Sequence, residues 1–299
     1  MNILVTGASG LVGSALALDL SARGHRVVPL RRASTVAAGP TWSVERGEIN
    51  LGACGPLDAV VHLAGETVAQ RWTAGARRRI RESRVRGTEL LVEGLSRLPV
   101  RPKVLVAASA IGFYGAGGDA LVDEASPGGE GFLAEVCREW EAAAARVQAL
   151  GIRVVHLRLG IVLAAQGGAL AKMLPVFRTG LGGRLADGAA WWSWVSLPDV
   201  LAAIRFAVES EALSGAVNCV APHPVCNGEF TRVLGRVLRR PAVLPVPRWV
   251  IESVFGEMAR GTMLASIRVR PARLEAARFQ FQHVELEPAL RALLHRPAR

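Results

Sequence analysis

The chain has 299 residues, of which 51% are hydrophobic and 20% charged, and it carries a net charge of +11. This composition excludes an intrinsically disordered chain, and four scattered cysteines without a CxxC pair exclude a disulfide scaffold. The basic residues, all arginines except Lys103 and Lys172, are spread along the chain without interleaved aromatic residues, so we expect no nucleic acid partner.

The opening residues, MNILVTGASG, lack the basic and apolar regions of a secretion signal. No apolar run further along the chain reaches the roughly 18 residues that a membrane span requires. The sequence therefore predicts a cytoplasmic protein that has no membrane partner.

Short apolar strands alternate with helices in the first half of the chain. We predict strands at residues 2–6, 25–30, 58–63, 103–108 and 153–159, and helices at residues 11–23 and 132–150. Continuous apolar strands that alternate with helices are typical of a parallel sheet covered on both faces. The sequence therefore predicts an α/β fold of the Rossmann type, with a doubly wound parallel sheet.

Glycine and proline become more frequent after about Gly160, and strands become less evident. Helices are predicted at residues 199–209 and 227–238. A tryptophan cluster, WWSW at residues 191–194, is expected to form core or the wall of a substrate pocket, with core favoured. We expect residues 1–160 to form a cofactor-binding domain, and residues 161–299 to form a smaller C-terminal substrate lobe that is partly interleaved with the sheet.

A glycine-rich turn, TGASGLVG at residues 6–13, joins the first strand to the first helix. Gly7 would permit the tight turn, Gly10 would let a pyrophosphate approach the backbone, and Gly13 would allow close packing of helix and strand. The helix N-terminus would add amide donors and a positive dipole end. The predicted cofactor contacts in this turn are Thr6, Gly7, Ser9, Gly10, Leu11 and Val12.

The second strand runs into Arg31 and Arg32, where an NAD enzyme of this kind carries Asp or Glu for the ribose 2′-hydroxyl. Guanidinium groups pair well with a 2′-phosphate and have no acceptor for a bare hydroxyl. Arg31 and Arg32 therefore favour NADP(H) as the cofactor, although a pair of solvated surface arginines would look the same.

Several motifs together resemble the extended short-chain dehydrogenase/reductases. They are TGASGLVG, HLAGE at residues 62–66, SAIGFYG at residues 109–115 and LRLGIVL at residues 157–163. RESR at residues 81–84 and the SWVSLPDV run at residues 193–200 narrow the resemblance to an atypical, sugar-nucleotide epimerase-like branch, the "epimerase family". The resemblance covers nearly the whole chain. It implies that Leu63, Ala64, Gly65, Glu66 and Arg84 lie near the cofactor, although a local ion pair between Glu66 and Arg84 is an equal alternative.

The Tyr-x-x-x-Lys pair of the wider superfamily cannot exist here, because the one tyrosine is Tyr114 and its fourth following residue is Gly118. The resemblance places Ser109 at the strand end where the superfamily keeps its substrate-polarising serine. We expect Ser109 to bind a substrate carbonyl or hydroxyl, with Tyr114 as the candidate acid/base group. A packing role in the loop is the alternative for Tyr114.

Metal binding is not expected. Cys219, His223 and Cys226 form a C-x₃-H-x₂-C pattern, but no fourth ligand is evident, so buried thiols are the favoured interpretation. His62 and His156 lie in apolar strands and are predicted to be core histidines.

These observations predict an NADP(H)-dependent oxidoreductase or epimerase. Its substrate would be a small molecule, free or nucleotide-linked, that reacts at a carbonyl or hydroxyl, and the protein would be a monomer or a homodimer. The alternative is a non-catalytic NADP(H)-binding sensor or regulatory protein.

Overall fold

An eight-stranded sheet with helices on both faces forms the centre of the protein. The structure is a computed structural model that describes residues 1–33 and 39–295. The strands are β1 (Asn2–Thr6), β2 (Arg26–Arg32), β3 (Thr41–Ser43), β4 (Glu48–Asn50), β5 (Ala59–His62), β6 (Val104–Ala110), β7 (Leu121–Val122), β8 (Arg153–Leu159), β9 (Ile161–Ala164), β10 (Trp191–Trp192), β11 (Trp194–Ser196), β12 (Gly215–Cys219), β13 (Val225–Cys226) and β14 (Arg268–Val269). The α-helices are α1 (Leu11–Ala22), α2 (Ala74–Ser96), α3 (Phe132–Ala145), α4 (Gly168–Arg178), α5 (Leu197–Glu209), α6 (Asn227–Leu238), α7 (Arg248–Phe255), α8 (Ala272–Ala276) and α9 (Leu286–Leu293).

The strand order of the sheet is β12-β8-β6-β5-β1-β2-β3-β4. All neighbouring pairs are parallel except β3 and β4, which are antiparallel. The chain winds outward from β1 in both directions, which leaves a crevice at the carboxyl ends of β1 and β5, where ligands of such sheets bind. The predicted doubly wound Rossmann-type fold is confirmed.

Helices cover the two faces of this sheet. Leu16 and Leu20 of α1 share one core cluster with Ile204 of α5 and the inward side chains of the strands. Leu91 of α2 shares the cluster on the opposite face with Ala144 of α3. Because both faces are covered, the strands are continuously apolar, as the sequence indicates.

A third cluster lies in the second half of the chain. Trp192, Trp194 and Phe230 are buried there with side chains of α4, α6 and α9. The second half also supplies β12 to the edge of the main sheet and α5 to one of its faces. The division into residues 1–160 and 161–299 stays a prediction.

Two of the differences between the observed and the predicted elements affect the helices next to the candidate site. The helix predicted at residues 132–150 ends as α3 at Ala145, and a 3₁₀ helix continues it over Arg146–Leu150. The 23-residue helix α2 was not among the predicted elements. Within the described residues, no helix combines the length and the hydropathy needed to cross a membrane.

Candidate cofactor-binding site

The glycine-rich turn between β1 and α1 is closed by backbone contacts. Gly7 has a left-handed φ of +67°, and the N–H of Gly10 donates to its carbonyl oxygen at 2.9 Å. A Cβ at Gly7 would lie 2.8 Å from the backbone of Leu63 and Ala64, and one at Gly13 would overlap the carbonyl oxygen of Gly7. No described side chain caps the N-terminus of α1, so its amides are left for an anion. This geometry fits the pyrophosphate of a dinucleotide.

The remaining residues of this turn are distributed around its opening. Ser9 and Gly10 are exposed, whereas Leu11 and Val12 are half-buried. Leu11 packs against the turn that begins α4, since a Cβ at Gly167 would lie 2.8 Å from its Cδ1 atom. A segment of the second half of the chain therefore borders the candidate cofactor site.

Thr6 connects the end of β1 to the loop that follows β5. Its Oγ1 accepts the N–H groups of Leu63 and Ala64, both at 3.1 Å, and lies 2.7 Å from Nδ1 of His62. Because the Thr6 oxygen already accepts two N–H groups, its own proton is donated to Nδ1 of His62. The imidazole proton is therefore on Nε2, which donates to Thr88 Oγ1 at 2.9 Å. The arrangement requires a neutral His62 and fixes the loop over the crevice.

Burial, together with the positive charge of Arg84, lowers the pKa of His62 to about 4. The unfolded chain, with a histidine pKa near 6.5, therefore binds more protons between pH 6.5 and 4. We expect the free energy of unfolding to fall by up to about 3 kcal/mol as the pH falls through this window. Denaturant unfolding of the wild type and His62→Gln at several pH values measures this, and the variant should lack this part of the pH dependence. Identical pH profiles would contradict the assignment.

The loop after β5 holds the other residues that the resemblance singled out. Arg84 donates from Nη1 to the backbone oxygens of Glu66, at 2.9 Å, and Ile80, at 3.1 Å. The Glu66 carboxylate instead accepts from Gln70 Nε2 at 3.1 Å. Gly65 lies against the guanidinium, because a Cβ there would be 3.0 Å from Cζ of Arg84. Arg84 thus supports the loop from beneath through the backbone of Glu66 rather than through its carboxylate.

Arg31 and Arg32 are exposed at the end of β2. Thr6 is the register partner of Leu30, so both arginines lie level with the glycine-rich turn. Residues 34–38, which follow them, lie outside the described part of the chain.

Ser109 lies at the end of β6, next to β8, in a buried polar network. Its hydroxyl donates to Glu141 Oε1 at 2.6 Å. Arg158, its register partner in β8, donates to both oxygens of the same carboxylate at 2.8 Å. Tyr114 accepts from Arg158 Nη1 at 2.9 Å and donates to Asn218 Oδ1 at 2.8 Å. Ser109 and Tyr114 are therefore joined through Arg158 and Glu141.

The sequence reasoning missed the members of this network that carry charge. Arg158 lies between two leucines near the end of β8, and a charged residue at this position is the one signal that could have revealed it. Glu141 follows Cys137 by one helical turn of α3, the helix in which the superfamily pair would lie. Burial raises the pKa of the Cys137 thiol to about 11, so that thiol is a poor base. Burial also raises the pKa of Tyr114.

A cavity of about 400 Å³ opens where α2 and α3 begin, at the carboxyl edge of the sheet. An ion pair between Arg77 and Glu257 crosses it. Its lining residues are Ala74, Arg77, Arg78, Arg81, Glu82, Phe132, Glu135 and Glu257. Its size and polarity suit a small polar molecule.

The residues of the C-x₃-H-x₂-C pattern are not brought together as ligands. Cys219 is fully buried, whereas the exposed His223 pairs through Nδ1 with Glu285 at 2.5 Å. Across residues 1–33 and 39–295, no three histidine, cysteine or acidic side chains are grouped as a metal site.

The glycine-rich turn, the uncapped helix and the switch in strand order define a dinucleotide-binding protein of the doubly wound α/β class. The chain belongs to the NAD dependent epimerase/dehydratase family, whose model matches residues 3–219, and a domain of unknown function matches residues 246–293. The predicted resemblance to the epimerase-like branch is thereby confirmed.

Relatives of this family align over nearly the whole chain. An epimerase family protein of Mycobacterium tuberculosis is 41% identical over 297 residues, covering 99% of this chain and 98% of the relative. The crystal structure of human epimerase family protein SDR39U1 with NADPH has a TM-score of 0.90 and 34% identity and covers 99% of each chain. A nucleoside-diphosphate sugar epimerase from Corynebacterium glutamicum has a TM-score of 0.79 and 33% identity, covering 98% of this chain and 57% of that one.

Proposed function

We propose that this protein is an NADP(H)-dependent oxidoreductase or epimerase that acts on a carbonyl or hydroxyl of a small substrate, free or nucleotide-linked. The observation that carries the proposal is the position of Arg31 and Arg32, level with the glycine-rich turn at the end of β2. A 2′-phosphate on a dinucleotide held at that turn would be within reach of both guanidinium groups. The NADPH named with the human SDR39U1 structure supports the same cofactor.

The residues for the cofactor are those that line the crevice. The backbone of Gly7, Gly10 and the first turn of α1 would hold the pyrophosphate, and the loop at residues 63–66 would border the rest. NADP(H), when bound, supplies the hydride donor or acceptor of the reaction.

Ser109 is the residue of this chain that we propose for the substrate. Its proton is committed to Glu141, so Oγ retains acceptor capacity and suits a hydroxyl that donates to it. Arg158 fixes the carboxylate through two bonds and thereby fixes the serine rotamer.

Tyr114 remains a sequence-based prediction as the acid/base group. Its side chain is 5% exposed, and its hydroxyl already has both Arg158 and Asn218 as partners. These contacts favour the packing and hydrogen-bonding role. They also support the second candidate function, a non-catalytic NADP(H)-binding sensor. The Tyr-x-x-x-Lys pair is missing, and neither α3 nor Tyr114 offers a free proton donor in its place.

We expect the double variant Arg31→Gln, Arg32→Gln to lose about 10- to 100-fold in affinity for NADPH and to keep its affinity for NADH, because only the phosphate contacts disappear. Titration of the purified protein with each cofactor, followed by tryptophan fluorescence, measures both constants. Arg26→Gln, at the opposite end of β2, is the matched control and should leave both unchanged. Equal losses for NADPH and NADH would remove the 2′-phosphate assignment.

A screen of carbonyl and hydroxyl compounds separates the two candidate functions. An enzyme turns over NADPH or NADP⁺ in proportion to a substrate, whereas a sensor binds the cofactor without hydride transfer. If the protein binds neither NADPH nor NADP⁺, both candidate functions are overturned.

A further inference from the structure

Arg84 is a partly buried cation that has no carboxylate partner within 4.0 Å among the residues of the described structure. Its Nη1 donates to two backbone oxygens, those of Glu66 and Ile80, which carry no net charge. The neighbouring Glu66 carboxylate faces Gln70 and Arg79 instead. Arg158, by contrast, is neutralised by Glu141. Removing a cation from water without a counter-ion costs free energy, so the position of Arg84 calls for an explanation.

The guanidinium lies directly beneath the loop that borders the crevice. A Cβ at Gly65 would be 3.0 Å from Cζ and 3.2 Å from Nη2 of Arg84, so glycine is the residue that lets the loop approach. On its other side, Cζ lies 5.1 Å from the ring centroid of Trp140 in α3. Trp140 is buried, and its Nε1 has no hydrogen-bond partner. These contacts hold the guanidinium in one place. Burial lowers the pKa of Arg84, and the attraction of the Glu66 carboxylate, which lies beyond ion-pair distance, only partly opposes this effect.

Strand order shows which part of a dinucleotide would lie above this charge. Arg31 and Arg32 are the last two residues of β2, and the glycine-rich turn follows β1. Gly65 follows β5, and Ser109 is the penultimate residue of β6. These strands are neighbours in the order β2-β1-β5-β6. A dinucleotide with its 2′-phosphate at β2 and its pyrophosphate at β1 reaches β5 and β6 with its nicotinamide half. This step rests on the proposed function.

We propose that Arg84 sets the preference of the site for the reduced cofactor. The nicotinamide ring is positively charged in NADP⁺ and neutral in NADPH. A fixed cation beneath this half of the crevice repels the ring of NADP⁺ and does not affect the neutral ring of NADPH. Repulsion between two like charges across the loop is expected to give about a tenfold difference in affinity.

The same charge also acts on α3, the helix that packs against α2. Arg84 supplies a cation from α2, and its charge acts on the Cys137 thiol across the helix pair. Arg84 is thus a positioning residue for the loop and an electrostatic one for the cofactor.

The test is the ratio of the NADP⁺ and NADPH dissociation constants, measured by fluorescence titration. The wild type should bind NADPH about tenfold more tightly, and in Arg84→Met the ratio should fall to near one. Arg84→Lys should keep most of the ratio, because it keeps the charge. Arg86→Met, on the exposed side of the same helix, removes the same charge and should leave the ratio unchanged.

The outcomes separate this proposal from the function on which it rests. Binding of neither cofactor by the wild type overturns the function. A wild-type ratio near one overturns the role of Arg84 alone and needs no variant. An unchanged ratio in Arg84→Met also overturns the role of Arg84. If the methionine variant does not fold, Arg84→Gln removes the charge but retains a donor for Glu66, and its ratio is compared in the same way.

Discussion

Gly13→Ala is expected to lower the affinity for NADPH by about 100-fold and to lower the melting temperature. The new Cβ would overlap the carbonyl oxygen of Gly7, which is backbone and cannot rotate away. Gly7 in turn lies against the backbone of Leu63 and Ala64, so the turn has no room to shift. Overpacking of this kind costs about 1–3 kcal/mol, and the displaced amides lose the phosphate. Fluorescence titration and thermal unfolding measure the two effects.

Gly117→Ala is the matched control for this substitution. A Cβ there would meet no heavy atom of the described residues within 4 Å, and Gly117 has no left-handed φ. Affinity and melting temperature should both stay at the wild-type value. Wild-type affinity in Gly13→Ala itself would show that the glycine-rich turn does not hold the cofactor.

Glu141→Gln is expected to lower the free energy of unfolding by about 3–5 kcal/mol, because it leaves a buried guanidinium without a counter-charge. The side chains of Arg158 and Glu141 are 5% and 12% exposed, so water cannot replace the lost partner. The amide also offers Ser109 a weaker acceptor. Urea unfolding monitored by circular dichroism measures the change.

An exposed ion pair at the C-terminal end of α2 provides the comparison. Arg97 and Glu93 are 63% and 54% exposed, and Glu93→Gln should cost at most about 0.5 kcal/mol. If Glu141→Gln also lowers the free energy of unfolding by only about 0.5 kcal/mol, the buried network does not stabilise the fold. The double variant Glu141→Leu, Arg158→Met should be less destabilised than the two single changes added together, since no charge is left unpaired.

The parts of the fold that the sequence predicts are those determined locally. β1 and β8 have the predicted limits, because each has a core of consecutive apolar residues and each is followed by glycine. The glycine-rich turn is likewise readable, since its constraints lie within eight consecutive residues. α2 was missed because its first half is rich in arginine, and its buried residues, such as Ile80 and Leu91, face the core only once the sheet exists.

Local motifs predict the cofactor half of the candidate site, and the family resemblance adds Ser109, whereas Glu141 and Arg158 are not predictable from the sequence. Ser109, Glu141 and Arg158 are far apart in sequence, and the register of β6 against β8 brings the serine and the arginine side by side. Nothing in the local pattern around Glu141 distinguishes it from the solvated acids of α3. Long-range pairing of this kind is a property of the assembled sheet.

The last strand of the sheet has a consequence for how the protein is made. β12 pairs with β8, yet a long stretch of chain that includes β9, α4 and α5 separates them. Until residue 219 has left the ribosome, the growing chain therefore carries an unpaired parallel edge on β8, the strand that also holds Arg158. Long-range parallel pairing is slow, and open strand edges recruit other chains. The central sheet therefore depends on the later part of the chain for its last strand during synthesis.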